Sequence, residues 1–172
     1  WWMRDEVEAD CCGATQRAIL RDLKIGGFFR ARGLMVGFVI AGHGRLAEEF
    51  LSTATQIVGE ITKAATCSVV PGASLEDIRQ TLASAIRSVD DELGVILFAD
   101  LVGGSPCTQG LTLCNDNKLE VVTGVNLPMI LKAATLRSAD QNVTARDLAQ
   151  QLVQHGPKTI TWPSEQLRAT LG

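Results

Sequence analysis

The chain has 172 residues, 46% of them hydrophobic and 20% charged, with a formal net charge of −3; that balance fits one α/β domain and excludes an intrinsically disordered chain. No run of like charge marks a nucleic-acid surface, and no apolar run approaches the roughly 18 residues that cross a bilayer. The five cysteines (Cys11, Cys12, Cys67, Cys107, Cys114) include no C-x-x-C pair and the two histidines have no metal-ligand spacing, so reduced thiols in a cytoplasmic protein, with no metal and no cofactor, are expected.

Residues 1–34 are mixed in charge and broken by Gly13, Gly26-Gly27 and Gly33. Ile19, Leu20 and Leu23 share a face and predict a short helix in "ATQRAILRDLK". Strong patterning starts only at Met35. Residues 1–34 are therefore expected to be an appended or poorly ordered leader, and 35–172 the domain.

From Met35 strand and helix patterns alternate. "MVGFVIA" is a near-continuous apolar run, as a strand buried on both faces of a parallel sheet requires. Leu46, Ala47, Phe50, Leu51, Ala54, Ile57 and Val58 then recur at helical spacing up to Gly59. "CSVV" reads as a weaker strand stopped by Pro71-Gly72, and Ser74 with Asp77 sets up an N-cap for a helix striped by Leu75, Ile78, Leu82, Ala85, Ile86 and Val89. "GVILFADL" is the clearest central strand, and after it "VGGSP" reads as a loop with Ser105 as N-cap and Pro106 in the first helical position. "LEVVTGV" is another strand, "NLP" opens a helix through Leu136, and Thr144 with Asp147 caps a helix whose apolar face holds Leu148, Ala149, Leu152 and Val153. "KTITW", after Gly156-Pro157, reads as a short last strand. The alternation predicts a doubly wound, mostly parallel sheet of about five strands with helices on both faces, without repeats or a second domain.

"FVIAGHGRLAEEF" raises the functional question. Its hexad Gly42–Ala47 fits the G-x-G-x-x-G/A pattern of dinucleotide loops, but the acidic residue expected about 20 positions on is missing: the second strand ends Val69-Val70-Pro71 and Glu60 precedes it. An imidazole between the glycines would also crowd a pyrophosphate. A reactive histidine fits better. His43 ends one apolar strand and Asp100 ends another, so the two meet if those strands are neighbours. A carboxylate on Nδ1–H fixes the tautomer and leaves Nε2 free to attack. Each residue also has a plain structural reading, His43 as a bonded loop histidine and Asp100 as a cap on "GGSP". His155, before Gly156-Pro157 at a helix end, needs no more than a capping role.

Gly103 and Gly104 allow close backbone approach, and Ser105 with the helix start behind it offers donors suited to a phosphate. A Ser105–His43–Asp100 hydrolase triad fails on a detail. The residue after a nucleophilic serine lends its N–H to the oxyanion hole, and here it is Pro106, which has none.

With His43, Asp100 and "GGSP" placed, the sequence resembles the enzyme IIA domain of the mannose-type sugar phosphotransferase system, through "GFVIAGHGRLAEEFL", "PGAS", "GVILFADLVGGSP" and "LEVVTGVNLPMIL" in that order. The resemblance implies a phosphoryl carrier, a phosphotransferase with a phosphohistidine intermediate. A histidine-containing phosphocarrier protein would phosphorylate His43, Asp100 would orient the ring, and Ser105 with amides around Gly103 and Gly104 would hold the phosphate. The acceptor would be a IIB component, expected as a separate chain, and behind it the membrane IIC and IID components; no nucleic acid is implied. Members of the family form homodimers with the last strand exchanged, for which "KTITW" is the candidate. Gly42 and Leu101-Val102 depart from the polar and aromatic residues common at those places, which bears on partner and sugar choice. A regulatory phosphorylation module and a histidine carrier of dihydroxyacetone phosphorylation would use the same site.

Overall fold

Period-two alternation decides what each strand buries. In a computed structural model, which describes residues 34–114 and 118–171, β1 (Gly37–His43) is buried from Gly37 to Gly42 and exposed only at His43. β3 (Val95–Ala99) is buried throughout. Phe38 and Ile40 of β1 and Ile96 and Phe98 of β3 face one core, closed by helices α1 (Leu46–Val58), α4 (Leu127–Ala139) and α5 (Ala145–His155). Val39, Ala41, Val95 and Leu97 face the other, with Cys67 of β2 (Ala64–Val69) and Ile78, Leu82 and Val89 of α2 (Leu75–Val89). Helix α3 (Ser105–Thr112) covers the same face: a Cβ on its Gly110 would collide with Leu97. Strands buried on both sides need apolar residues at every position, which is why β1 and β3 read as continuous runs.

All pairings are parallel and the strand order is β2-β1-β3-β4, with β4 covering Leu119–Thr123. The chain therefore winds outward in one direction from β1 to β2, then crosses to β3 on the other side. The carboxyl ends of β1 and β3 flank this reversal, where side chains and loops diverge and leave a crevice. His43 and Asp100 stand at those two ends.

The expected helix signals act as physical caps. Ser74–Asp77 and Thr144–Asp147 each form a reciprocal capping box, Asn126 Oδ1 accepts from Met129 N–H, and Gly59 closes α1 at φ 85°. Helix α4 runs on to Ala139 and adds an anchor that the sequence pattern did not single out. Arg137 is buried, its guanidinium donates to Val36 O and Thr62 O at 2.8 Å each, and it lies 3.9 Å from the Phe38 ring centroid. Burial pulls its pKa down to about 10, so it stays charged at neutral pH while tying the entries of β1 and β2 to α4.

Among the described residues the sheet has four strands, where about five were expected. "KTITW" is no strand in the single chain: Gly156–Thr159 forms a 3₁₀ turn, the next residues are unpaired, and α6 (Pro163–Leu171) follows. Ile160 and Trp162 do alternate, but they stand 82% and 65% exposed, and among the described residues no strand pairs with them. The helix read in "ATQRAILRDLK", like Cys11 and Cys12, lies outside the described residues. Cys67, Cys107 and Cys114 are free thiols.

Candidate functional site

Strand pairing brings the two sequence-predicted residues together. β1 and β3 are in register up to Ala41↔Ala99, so the next residues, Gly42 and Asp100, are side by side and His43 stands one further on. Asp100 Oδ2 accepts two hydrogen bonds from the same residue, one from His43 N–H and one from Nδ1, each at 2.8 Å. Asp100 Oδ1 accepts a third from Leu101 N–H at 2.8 Å. The carboxylate thus pins backbone and ring at once. Gly42 keeps the approach open, since a Cβ there would lie 3.3 Å from Asp100 Oδ2.

Burial raises the Asp100 carboxyl, but the hydrogen bonds from His43 and Leu101, with the Coulombic pull of the imidazole, outweigh it and hold the pKa below the usual carboxylate value. An ionised carboxylate has only acceptors, so Nδ1 carries a proton, and in the neutral ring the lone pair lies on Nε2. The Asp100 side chain is 10% exposed and that of His43 48%: a fixed carboxylate under a ring open to a visiting molecule.

The "GGSP" loop borders the ring. Gly103 has φ +76°, the left-handed region that other residues enter only at a cost, and a Cβ on Gly104 would lie 3.2 Å from His43 Cε1. One correction applies to the helix start. Gly104, not Ser105, is the N-cap of α3; Ser105 is its first residue, and no side chain caps the end. The cause is Pro106: without an N–H it fits anywhere in the first turn, so its place did not fix the register. The Ser105 hydroxyl is thus not spent on capping, and the first-turn amides carry the partial positive charge of a helix N-terminus.

The surroundings of the ring are apolar, and they include the Leu101-Val102 pair that departs from the family pattern. Leu46, Val70, Leu101 and Val102 are exposed apolar side chains close in sequence or register to His43, Leu101 and Val102 being 52% and 76% exposed. Their signal was legible as two large apolar residues in a loop between an aspartate and two glycines. Two clefts, of about 390 and 680 Å³, are lined by neither His43 nor Asp100. Among the described residues no cluster of three His, Cys, Asp or Glu side chains could hold a metal ion, and no helix is long and apolar enough to cross a membrane. His155 ends α5, as its position implied.

A family model described as "PTS system fructose IIA component" matches residues 37–151. The chain is 30% identical over 128 residues to the PTS system mannose-specific EIIAB component of Escherichia coli K12, covering 74% of this chain and 39% of that protein. It thus spans about two fifths of the length of the first curated relatives it matches. It is 23% identical over 134 residues to the PTS system fructose-specific EIIA component of Bacillus subtilis 168, 77% of this chain and 90% of the other. Among solved structures, the mannose/sorbose specific IIA subunit of the phosphotransferase system from Enterococcus faecalis superposes with a TM-score of 0.65 at 32% identity, over 74% of this chain and 94% of that one.

Proposed function

This chain belongs to the mannose/fructose IIA family of the sugar phosphotransferase system, and on that premise we propose that it carries a phosphoryl group on His43 Nε2. The group comes from a histidine-containing phosphocarrier protein and passes to a IIB component in sugar uptake. The observation that carries this reading is the His43 Nδ1–Asp100 Oδ2 bond of 2.8 Å under a half-exposed ring beside the start of α3.

The chemistry follows from the tautomer. Nε2 attacks the phosphorus of the donor's phosphohistidine; the N–P bond in the donor breaks as the new one forms, and the departing imidazole keeps the electron pair. His43 retains its Nδ1 proton, so the ring becomes a phosphoimidazolium, and Asp100 faces that positive charge at hydrogen-bond distance. Ser105 Oγ and the first-turn amides of α3 are the donors for the phosphoryl oxygens. Transfer to the acceptor is the reverse of the same step. The open, apolar-rimmed ring suits a protein partner that brings its own nucleophile, whereas an enzyme acting on a small molecule would enclose it.

The same reading includes a homodimer. Among the described residues one side of β4 is a sheet edge, facing a groove of about 680 Å³ lined by Leu119 and Val121 of the strand with Leu111, Arg146 and Val153 beside it. Ile160 and Trp162 form an exposed alternating arm beyond α5. A free edge and an unpaired arm complete each other when a second copy lends its arm.

Incubation with phosphoenolpyruvate, enzyme I and the phosphocarrier should label the protein, and an added IIB component should drain the label. Absence of label, together with ester hydrolysis that disappears with Ser105, would replace the carrier by a hydrolase.

A further inference from the structure

Two glycines separate Val102 from Ser105, and they are glycines for different reasons. Gly103 has the positive φ that accounts for it. Gly104 has φ −66° and ψ 160°, extended backbone open to any residue. What a side chain at 104 lacks is space. A Cβ there would lie 3.2 Å from His43 Cε1, 3.3 Å from Leu101 Cγ and 3.4 Å from Leu101 O. Carbon atoms in contact settle near 3.5–4.0 Å, so the first two are too close.

We propose that Gly104 is a positioning residue for His43: having no Cβ, it leaves the Cε1 edge of the imidazole the space that the ring occupies. The hydrogen bond to Asp100 fixes one ring atom, Nδ1, and a ring held at one atom still swings about that point. Cε1 lies between Nδ1 and Nε2, so a Cβ pressing on Cε1 swings Nε2 about that fixed atom. With 48% of the His43 side chain exposed, the ring has room to swing. A Cβ at 104 comes too close to the imidazole and to Leu101 Cγ, both side chains with open space beside them, while the Leu101 carbonyl accepts Gly104 N–H across the turn at 3.4 Å and holds the backbone between them. The Leu101 side chain swings into solvent and the ring moves outward, tilting Nε2 and stretching the bond to Asp100. The consequence for transfer rests on the carrier reading; the seating of the ring does not.

Gly104→Ala and Gly104→Val test this with two readouts, the His43 ring resonances by ¹³C and ¹⁵N NMR and the single-turnover rate of phosphoryl acceptance from the phosphocarrier. Both variants should stay folded, since the backbone suits either residue. The Cε1 and Nδ1 resonances should move in Ala and further in Val, and the rate should fall about 10-fold and about 100-fold, the scale set by displacements of a few tenths of an ångström up to 1 Å. Unmoved ring resonances would overturn the proposal, even with transfer lost, because Gly104 would then act on the phosphate alone. Moved resonances at wild-type rate would overturn the positioning role. If the unaltered protein accepts no phosphoryl group, the carrier reading fails, while the ring resonances still decide how His43 is seated.

Discussion

Asp100→Asn keeps the shape of the side chain and removes its charge, and the three hydrogen bonds around it set the outcome. Every partner of Asp100 is a donor: His43 N–H and Nδ1–H on Oδ2, Leu101 N–H on Oδ1. An amide supplies one oxygen and one NH₂. With its oxygen toward His43, it leaves Leu101 N–H facing a donor; turned round, it drives the proton from Nδ1 to Nε2 and leaves His43 N–H facing a donor. Both arrangements leave a backbone N–H unpaired and turn charge-assisted bonds into neutral ones, a loss of about 1–3 kcal/mol, which lowers the unfolding midpoint by about 3–10 °C in a domain of this size. Phosphoryl acceptance suffers more, by two to four orders of magnitude on the scale of tautomer loss in other histidine–carboxylate pairs. The acid limb supplies a sign test. The folded pKa of Asp100 is lowered, so its contribution is present above the unfolded value of about 3.9 and is lost as pH falls through the folded value. The stability gap between the two proteins should therefore hold at neutral pH and close below about pH 4. Denaturant titrations at several pH values and single-turnover transfer measure both effects. A variant that accepts phosphate at wild-type rate, or a gap that widens in acid, would refute the role given to the carboxylate.

Ser105→Ala should slow acceptance about 10- to 100-fold while phosphohistidine still forms, the loss of one hydrogen bond to a charged group; complete loss of turnover in single-turnover assays would make the serine a nucleophile. Arg137→Met should cost about 2–4 kcal/mol in chemical denaturation, because Val36 O and Thr62 O lose their donor; unchanged stability would show that relief of the buried charge cancels the lost bonds. Removing residues 157–172 should turn a dimer into a monomer or an aggregate by sedimentation, and a full-length protein that sediments as a clean monomer would defeat the exchanged-arm reading.

How far the fold was legible depended on whether a residue's partner lay nearby in sequence. β1 and β3 declared themselves because burial on both faces demands apolar residues at every step, and the two capping boxes because Ser74–Asp77 and Thr144–Asp147 are three residues apart. His43 and Asp100 could each be placed at a strand end, but their meeting depends on β1 lying beside β3, 57 residues on in the chain. "KTITW" carries the alternation of a strand without a partner among the described residues, and pattern alone does not report pairing. Helix α6 begins at Pro163, and its residues up to Thr170 are all exposed, so it has no buried stripe to show. Ser105 slipped from cap to first helical residue because Pro106 fits either register. In Gly103-Gly104 the letters are identical, and only coordinates separate a glycine required by its φ from one required by a neighbouring ring.

In the carrier, the phosphoryl group is expected on Nε2 of His43. Phosphorylation through enzyme I and the phosphocarrier, followed by ³¹P–¹H correlation and acid and base lability of the product, tests it on the protein itself. The expected product is one acid-labile, base-stable phosphoramidate on Nε2, absent from His43→Ala under the same conditions. A label that persists in His43→Ala, or one that is acid-stable and maps to Ser105, would contradict it.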